Sequence, residues 1–249
     1  MKETNKTVFV CLDCETTGLD AQQDRVIEVA AVRFTFDNIQ SEFESLIDPE
    51  ILIPESSIVF HHITQDMVAG KPKINEVIPE LLELIGNHII IGHGIGFDVQ
   101  LIINAAARYG IPCTLQNNRT LDTLRMARLY GESPINSLEQ LRRHFNIESE
   151  GAHRAMSDVI VNMEVFKYLA KQYKTTDQIF EALLRPIQFK LMPLGKHKGR
   201  LLKEIPIEYL LWAARQEYDR DLLFSLRSEI NRRKKGNLFS QSGNPFSGL

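Results

Sequence analysis

The sequence predicts an α/β protein, with a mixed sheet flanked by helices and a small, mainly helical C-terminal domain. Three observations support this fold class. Strand patterns occupy the first 50 residues, strand and helix patterns then alternate to about residue 173, and the balance of charge changes sign near residue 185. Strands followed by a strand–helix alternation are typical of a sheet covered by helices.

The strands are predicted from apolar and β-branched runs. Residues 8–12 form a buried strand that leads into Asp13, and residues 25–36 and 41–47 extend it as an antiparallel meander. Residues 88–91 are fully apolar and form a fourth strand. These runs together predict the sheet.

The helices follow from apolar residues at helical spacing and from capping residues and glycines at their ends. Asp122 and Ser137 are interpreted as helix caps, and Trp212 as part of the apolar face of a small helical core. We predict helices at residues 65–68, 74–85, 98–109, from 122 to 129, from 137 onward, and 158–173.

Charge separates the two predicted domains. Residues 1–184 carry 16 Lys and Arg against 26 Asp and Glu, a net charge of −10, whereas residues 185–249 carry 13 against 6, a net charge of +7. We predict domains at residues 1–175 and 185–235 and a disordered tail at residues 236–249, which are rich in Gly, Ser and Asn and uncharged. An acidic body with a basic module is consistent with nucleic-acid binding through the module.

Composition argues against a disulfide-rich or membrane protein. The three cysteines are an odd number, and the Cys11-x-x-Cys14 pair lies in a strand with no second metal-ligating pair. No run approaches the roughly 18 apolar residues that a transmembrane helix needs, and the first residues lack a signal-peptide pattern. We therefore expect a cytoplasmic protein without a membrane partner.

Four acidic residues and one histidine stand out by their context. Asp13 and Glu15 follow the first strand two residues apart, so both carboxylates project to the same face at its carboxyl end. Asp98 begins a helix after the fourth strand, and Asp158 lies near the start of a long helix, five residues after His153. Either Asp98 or Asp158 alone would be interpreted as a favourable first-turn charge, so the joint arrangement carries the argument.

This set of residue types is suited to phosphodiester chemistry. Clustered carboxylates repel one another unless cations neutralise them, and hard ions such as Mg²⁺ or Mn²⁺ prefer carboxylate oxygens. Two such ions about 3.5–4 Å apart can hold the attacking and the leaving oxygen of a phosphodiester. A histidine, with an ordinary pKa of about 6.5, is suited to accept the proton of the attacking water.

Three strings in the chain resemble the motifs of the DEDDh (DnaQ-like) exonucleases, which have an RNase H-like fold. They are Asp13-Cys14-Glu15-Thr16-Thr17-Gly18-Leu19, Gly92-His93-x3-Phe97-Asp98 and His153-Arg154-Ala155-Met156-Ser157-Asp158. They occur in the family's order, residues 61–64 match its usual loop after the third strand, and the spacing of His153 and Asp158 indicates its histidine subgroup. The resemblance implies a 3′→5′ exonuclease that releases nucleoside 5′-monophosphates.

The resemblance also implies roles for individual residues. Asp13, Glu15 and Asp158 would bind the metal directly, Asp98 would complete a site for two Mg²⁺ or Mn²⁺ ions, and His153 would be the general base. The substrate would be bound by residues of the first two motifs, with an apolar wedge at residue 19: Thr16, Thr17, Gly18, Leu19, His93 and Phe97. Gly94 departs from the family, which usually has Asn at this position.

A basic turn marks the second domain. Gly195-Lys196-His197-Lys198-Gly199 resembles the G-K-x-[KR]-G module at the carboxyl end of exodeoxyribonuclease X-type proteins. By this resemblance Lys196, His197, Lys198 and Arg200 would contact DNA, and the competing interpretation is a protein-docking module.

The favoured interpretation is therefore a two-domain DNA exonuclease that acts at 3′ ends. Three alternatives stay open at this point: the proofreading subunit of a replicative polymerase, with polymerase or repair partners; an RNA-trimming exonuclease; and a catalytically silent nucleic-acid-binding scaffold. The sequence leaves strand preference and oligomeric state open.

Overall fold

The computed structural model describes residues 7–131, 136–148 and 153–241, and of residues 236–241 only the backbone. The chain forms two compact units, Met1–Ala182 and Leu183–Leu249. The domain limits of 1–175 and 185–235 stay a prediction.

One mixed sheet forms the centre of the first unit. Within the described residues its strand order is β3-β2-β1-β4-β5. β1, β2 and β3 are antiparallel neighbours, whereas β4 runs parallel to β1 and β5 parallel to β4. The strands are β1 Phe9–Thr16, β2 Val26–Phe34, β3 Ile39–Leu46, β4 Ile89–Gly92 and β5 Thr120–Asp122. β5 was not predicted, because a three-residue strand is too short to show a periodicity.

Helices flank this sheet, which confirms the predicted fold class. The helix predicted at residues 74–85 has these bounds in the structure, whereas α1, which follows Pro54, and α8 were not predicted. The helices are α1 Glu55–His61, α2 Gln65–Val68, α3 Ile74–Ile85, α4 Gly96–Arg108, α5 Thr123–Tyr130, α6 Leu138–His144, α7 Ala155–Ala170 and α8 Thr176–Leu184.

The two faces of β1 pack against different helices, because successive side chains of a strand point to opposite faces. On one face Phe9 contacts Phe166 of α7, with ring centroids 5.0 Å apart, and the Cys11 thiol donates to the carbonyl of Val159 at 3.6 Å. On the other face Val10 and Leu12 belong to the apolar core that includes residues of α3 and α4. The same alternation directs Asp13 and Glu15 toward the α7 face.

The second unit is mainly helical, with α9 Ile207–Ala213 and α10 Arg220–Gln241 around a small apolar core. One expectation is corrected here. Trp212 is 51% exposed and lies outside the core, whereas Leu210 is buried in it. The backbone of residues 236–241 continues α10, and the disorder expected for residues 236–249 stays a prediction. Residues 242–249 lie outside the described residues.

None of the described helices is both long enough and apolar enough to cross a membrane.

Candidate metal centre

Three carboxylates meet at the carboxyl end of β1. This strand pairs with β4 only from Phe9 to Cys11, so Asp13 and Glu15 extend past the end of β4. Asp158, in the first turn of α7, faces the same side. Each of the three offers one carboxylate oxygen, and these oxygens lie within 4.8 Å of one another. The structure thus brings together three acids from two distant stretches of sequence.

Polar contacts in the interior hold α7 on the sheet. The Thr123 hydroxyl donates to Oδ1 of Asn162 at 2.6 Å, and Nδ2 of Asn162 contacts the Cys11 thiol at 3.6 Å. Thr123 and Cys11 are fully buried and Asn162 nearly so, and buried polar groups of this kind specify one arrangement when their partners are satisfied. Cys11 is therefore a packing residue.

Burial and mutual repulsion raise the pKa values of these acids. Burial, and then the charge of Asp158, raises the pKa of Glu15 to about 7. Burial raises the pKa of Asp13 well above its usual range, and the charges of Asp98 and Asp158 add to the rise. The pKa of Asp158 is raised by burial, against the lowering effect of the His153 charge and backbone N–H. A set of oxygen ligands that is costly to ionise alone matches a hard divalent cation.

Asp98 is the fourth acid of the predicted site, and its charge helps to raise the pKa of Asp13. Its side chain is buried, and its Oδ1 accepts from the backbone N–H of Cys14 at 3.1 Å. Burial raises the pKa of Asp98 to about 7. Among the described residues it is not one of the three acids whose oxygens converge, so its completion of the site stays a prediction.

His153 lies at a strained point directly before α7. It is exposed and has a positive φ of 62°, a conformation that is uncommon for residues other than glycine. The next residue, Arg154, holds this segment by donating from Nε to both oxygens of Glu28, at 3.0 and 3.1 Å. The Ala155 N–H donates to the same carboxylate at 2.9 Å.

Sequence reasoning missed Glu28, which is fully buried and lies opposite Glu15 in the β1–β2 register. A signal was present, since Glu28 interrupts the apolar run of residues 26–30. Glu28 is thus a fifth carboxylate near the trio, but the guanidinium of Arg154 neutralises it. The pair anchors the start of the helix that carries Asp158.

The loop after β1 is fixed internally. The Thr17 hydroxyl donates to Oδ1 of Asp24 at 2.7 Å and accepts from the Arg25 N–H at 3.0 Å, and the Thr16 hydroxyl donates to the carbonyl of Gly18 at 2.6 Å. A Cβ on Gly18 would lie 2.5 Å from Oδ2 of Asp24. These hydroxyls are therefore engaged within the loop. Leu19, by contrast, projects from it with 92% of its surface exposed.

The second motif contacts α5. Nδ1 of His93 lies 3.1 Å from the Thr123 hydroxyl and Nε2 lies 2.8 Å from the carbonyl of Asn136. Both ring nitrogens thus have partners within the protein, which favours a positioning role for His93. Phe97 is partly buried against the core. Gly94 has a φ of 82°, a region that glycine adopts most readily and asparagine tolerates, which explains why this departure from the family leaves the backbone unstrained.

Asp122 caps α5, as interpreted from the sequence: its Oδ1 accepts from the N–H groups of Leu124 and Gly94, both at 2.9 Å.

In the second unit Lys196, Lys198 and Arg200 are exposed. His197 is buried, with its ring 4.4 Å from that of Tyr209. The predicted DNA contact from His197 is therefore corrected to a packing role, because the ring fills space beside an aromatic neighbour.

Two family models match the chain. The model described as "Exonuclease" matches residues 10–166, and a model described as "Putative quorum-sensing-regulated virulence factor" matches residues 181–226.

Curated relatives are polymerase components. DNA polymerase III PolC-type from Clostridium perfringens is 34% identical over 193 residues, which cover 75% of this chain and 13% of the relative. DNA polymerase III subunit epsilon from Aquifex aeolicus is 35% identical over 159 residues, covering 64% of this chain and 78% of the relative. This chain thus spans only a small part of the PolC-type relative.

Solved structures share the fold. Exonuclease X in complex with 5′ overhanging duplex DNA has a TM-score of 0.56 at 22% identity, over 70% of this chain and 99% of that chain. The exonuclease I–ssDNA complex from E. coli has a TM-score of 0.62 at 23% identity, and the match covers 72% of this chain and 43% of that chain.

Proposed function

Because this chain belongs to the exonuclease family, whose model matches residues 10–166, we propose that it is a divalent-metal-dependent 3′→5′ exonuclease acting on DNA. One observation carries the proposal: oxygens of Asp13, Glu15 and Asp158 converge to within 4.8 Å at the end of β1. The products would be nucleoside 5′-monophosphates.

The acids would hold two Mg²⁺ or Mn²⁺ ions, with Asp13, Glu15 and Asp158 as direct ligands and Asp98 completing the site. When bound, the ions would supply positive charge that offsets the carboxylates and the phosphodiester. His153 would accept a proton from the attacking water, whose oxygen bonds to phosphorus as the bond to the 3′ oxygen breaks, and the 3′ oxygen would take a proton from solvent and remain on the shortened strand as its new 3′ hydroxyl. Glu28 and Arg154 would hold His153 and Asp158 in place through the start of α7.

Recognition of the strand end would depend on the loop after β1. Its internal hydrogen bonds make Leu19 an exposed apolar side chain on a fixed backbone, suited to lie against the terminal base. Exposed cations of the second unit, Lys196, Lys198 and Arg200, would bind backbone phosphates.

The test uses 5′-labelled single-stranded DNA and RNA of matched sequence, with Mg²⁺, Mn²⁺ or EDTA. We expect DNA to shorten stepwise from its 3′ end only with metal, and Asp13→Asn to lose at least about 100-fold in rate. Asp37→Asn is the matched control, because Asp37 is exposed in the turn between β2 and β3. Equal rates for the two variants would refute the site, and faster cleavage of RNA would establish the RNA-trimming alternative.

A proofreading role is a second candidate, favoured by the similarity to the epsilon subunit and to a PolC-type polymerase. It predicts a stable complex with a replicative polymerase in size-exclusion chromatography and faster removal of a mismatched 3′ nucleotide than of a paired one. If the protein forms no such complex and shows no preference for the mismatched nucleotide, the proofreading role is refuted and the proposal of an exonuclease that acts alone stands.

A further inference from the structure

The second unit exposes an aromatic side chain that is linked through two ring contacts to a turn with three exposed cations. Trp212, the only tryptophan of the chain, is 51% exposed. Its ring packs against Tyr209, with centroids 5.3 Å apart. Tyr209 in turn contacts His197, which lies between Lys196 and Lys198 in the turn at residues 195–200.

The cations of this turn are available for a ligand. Lys196, Lys198 and Arg200 are exposed, and within the described part of the chain none of them has an ion pair with a carboxylate. Arg200 lies 3.1 Å from Nδ1 of His197. Burial, and then the charges of Arg200 and Lys196, lowers the pKa of His197.

We propose that Trp212 and the cations Lys196, Lys198 and Arg200 form a binding site for single-stranded nucleic acid, with the indole stacking on an unpaired base. A half-exposed indole, linked through Tyr209 and His197 to a turn whose exposed cations have no carboxylate partner among the described residues, matches a chain of phosphates that carries flat apolar rings. A purely acidic peptide such as poly-glutamate would satisfy the cations but has no ring to cover Trp212, and a duplex hides the faces of its bases. The inference rests on the proposed nucleic-acid substrate, but not on the chemistry at the acidic site.

Because Trp212 is the only tryptophan, its fluorescence reports this site directly. The full chain is titrated in EDTA, which prevents cleavage, with dT12 and with an abasic 12-mer of equal charge. We expect dT12 to quench the fluorescence, and the abasic strand to bind at least 5-fold more weakly with little quenching. The inference is overturned if the abasic strand, a blunt duplex or poly-glutamate quenches as dT12 does, or if dT12 causes no quenching.

Substitutions separate stacking from charge. Trp212→Leu should weaken binding of labelled dT12, measured by fluorescence polarisation, by about 5- to 100-fold, and Trp212→Phe by less. Leu211→Ala is the control, because Leu211 is an exposed apolar neighbour on the same helix, and it should change affinity less than 2-fold. Equal losses in Trp212→Leu and Leu211→Ala would overturn the stacking role.

The cations are tested by the salt dependence of affinity. Lys196→Gln with Lys198→Gln should lower the slope of log affinity against log salt by about 1.4, the value for two phosphate contacts on a single strand. The control pair Lys234→Gln with Lys235→Gln removes the same charge from α10, and its slope should change by less than half as much. Equal changes of slope in the two double variants would overturn the role of Lys196 and Lys198, because they would show that only the net charge of the protein matters. Metal-dependent degradation is measured separately, so an inactive protein that still quenches with dT12 would refute the nuclease and leave this site.

Discussion

Removing one charge from the acidic trio should stabilise the metal-free protein. Glu15→Gln keeps the volume of the side chain and removes its negative charge. Burial and the charge of Asp158 raise the pKa of Glu15 from 4.5 to about 7. Because the folded-state pKa lies above the unfolded one, the carboxyl's contribution to stability is present below pH 4.5 and is lost as the pH rises through 7.

The size of the effect follows from this shift. A pKa that is higher by about 2.5 corresponds to a free energy of about 3 kcal/mol, since a pKa difference of one is worth about 1.36 kcal/mol. Because Glu15 is partly exposed, solvent screening reduces this free energy to about 1–2 kcal/mol. Relative to the wild type, Glu15→Gln should therefore be more stable by about 1–2 kcal/mol at pH 8 and nearly equal at pH 4.5.

The assay is urea unfolding in EDTA at both pH values, followed by circular dichroism because the single tryptophan lies in the second unit. Glu139→Gln is the control of opposite sign. Hydrogen bonds from Arg142 and then Arg143 lower the pKa of Glu139 to about 2, so its charge stabilises the fold at pH 8. The repulsion argument would be refuted if Glu15→Gln lowered the free energy of unfolding, or if its effect on that free energy were the same at pH 4.5 and pH 8.

Three further predictions concern the parts around the trio. His153→Ala should lower kcat by about 100-fold or more with KM changed only a few-fold, and steady-state kinetics in which KM carries the loss would contradict the base assignment. Arg154→Ala should cost about 3 kcal/mol in urea unfolding, because it leaves the buried Glu28 carboxylate without its cation; a loss below 1 kcal/mol would show that Glu28 is solvated. Thr17→Val should cost about 1–3 kcal/mol because Asp24 and the Arg25 N–H lose a partner, and an unchanged melting temperature would argue against a rigid loop.

Local spacing was enough to predict half of the acidic site. Asp13 and Glu15 share a face because side chains alternate along a strand, and the structure places both toward α7. Glu28 and Arg154 could not be paired in the same way. Their contact depends on the register of β2 against β1 and on the packing of α7 against the sheet. Both are properties of the folded chain, which brings together two residues 126 positions apart in sequence.

The second unit shows where residue type misleads. Apolarity suggested that Trp212 is internal and charge context suggested that His197 is external, and the structure reverses both. α9 has only seven residues, and Leu210 and Ala213, three apart, fill its inner face. Since each residue turns a helix by about 100°, Trp212 lies about 200° from Leu210 and points outward.

A balance of charge supports the proposed pair of ions. Five carboxylates lie at or near the end of β1, and only Glu28 has an arginine partner there. The other four, Asp13, Glu15, Asp98 and Asp158, have no ion pair with Lys or Arg in the part of the chain that the structure describes. Ionised together they carry four negative charges, which two divalent cations would balance and one would leave half compensated. The raised pKa values of Asp13 and Glu15 follow from this uncompensated negative charge as well as from burial, so the residues that make the metal-free site costly are the ones that the proposed pair of ions would neutralise.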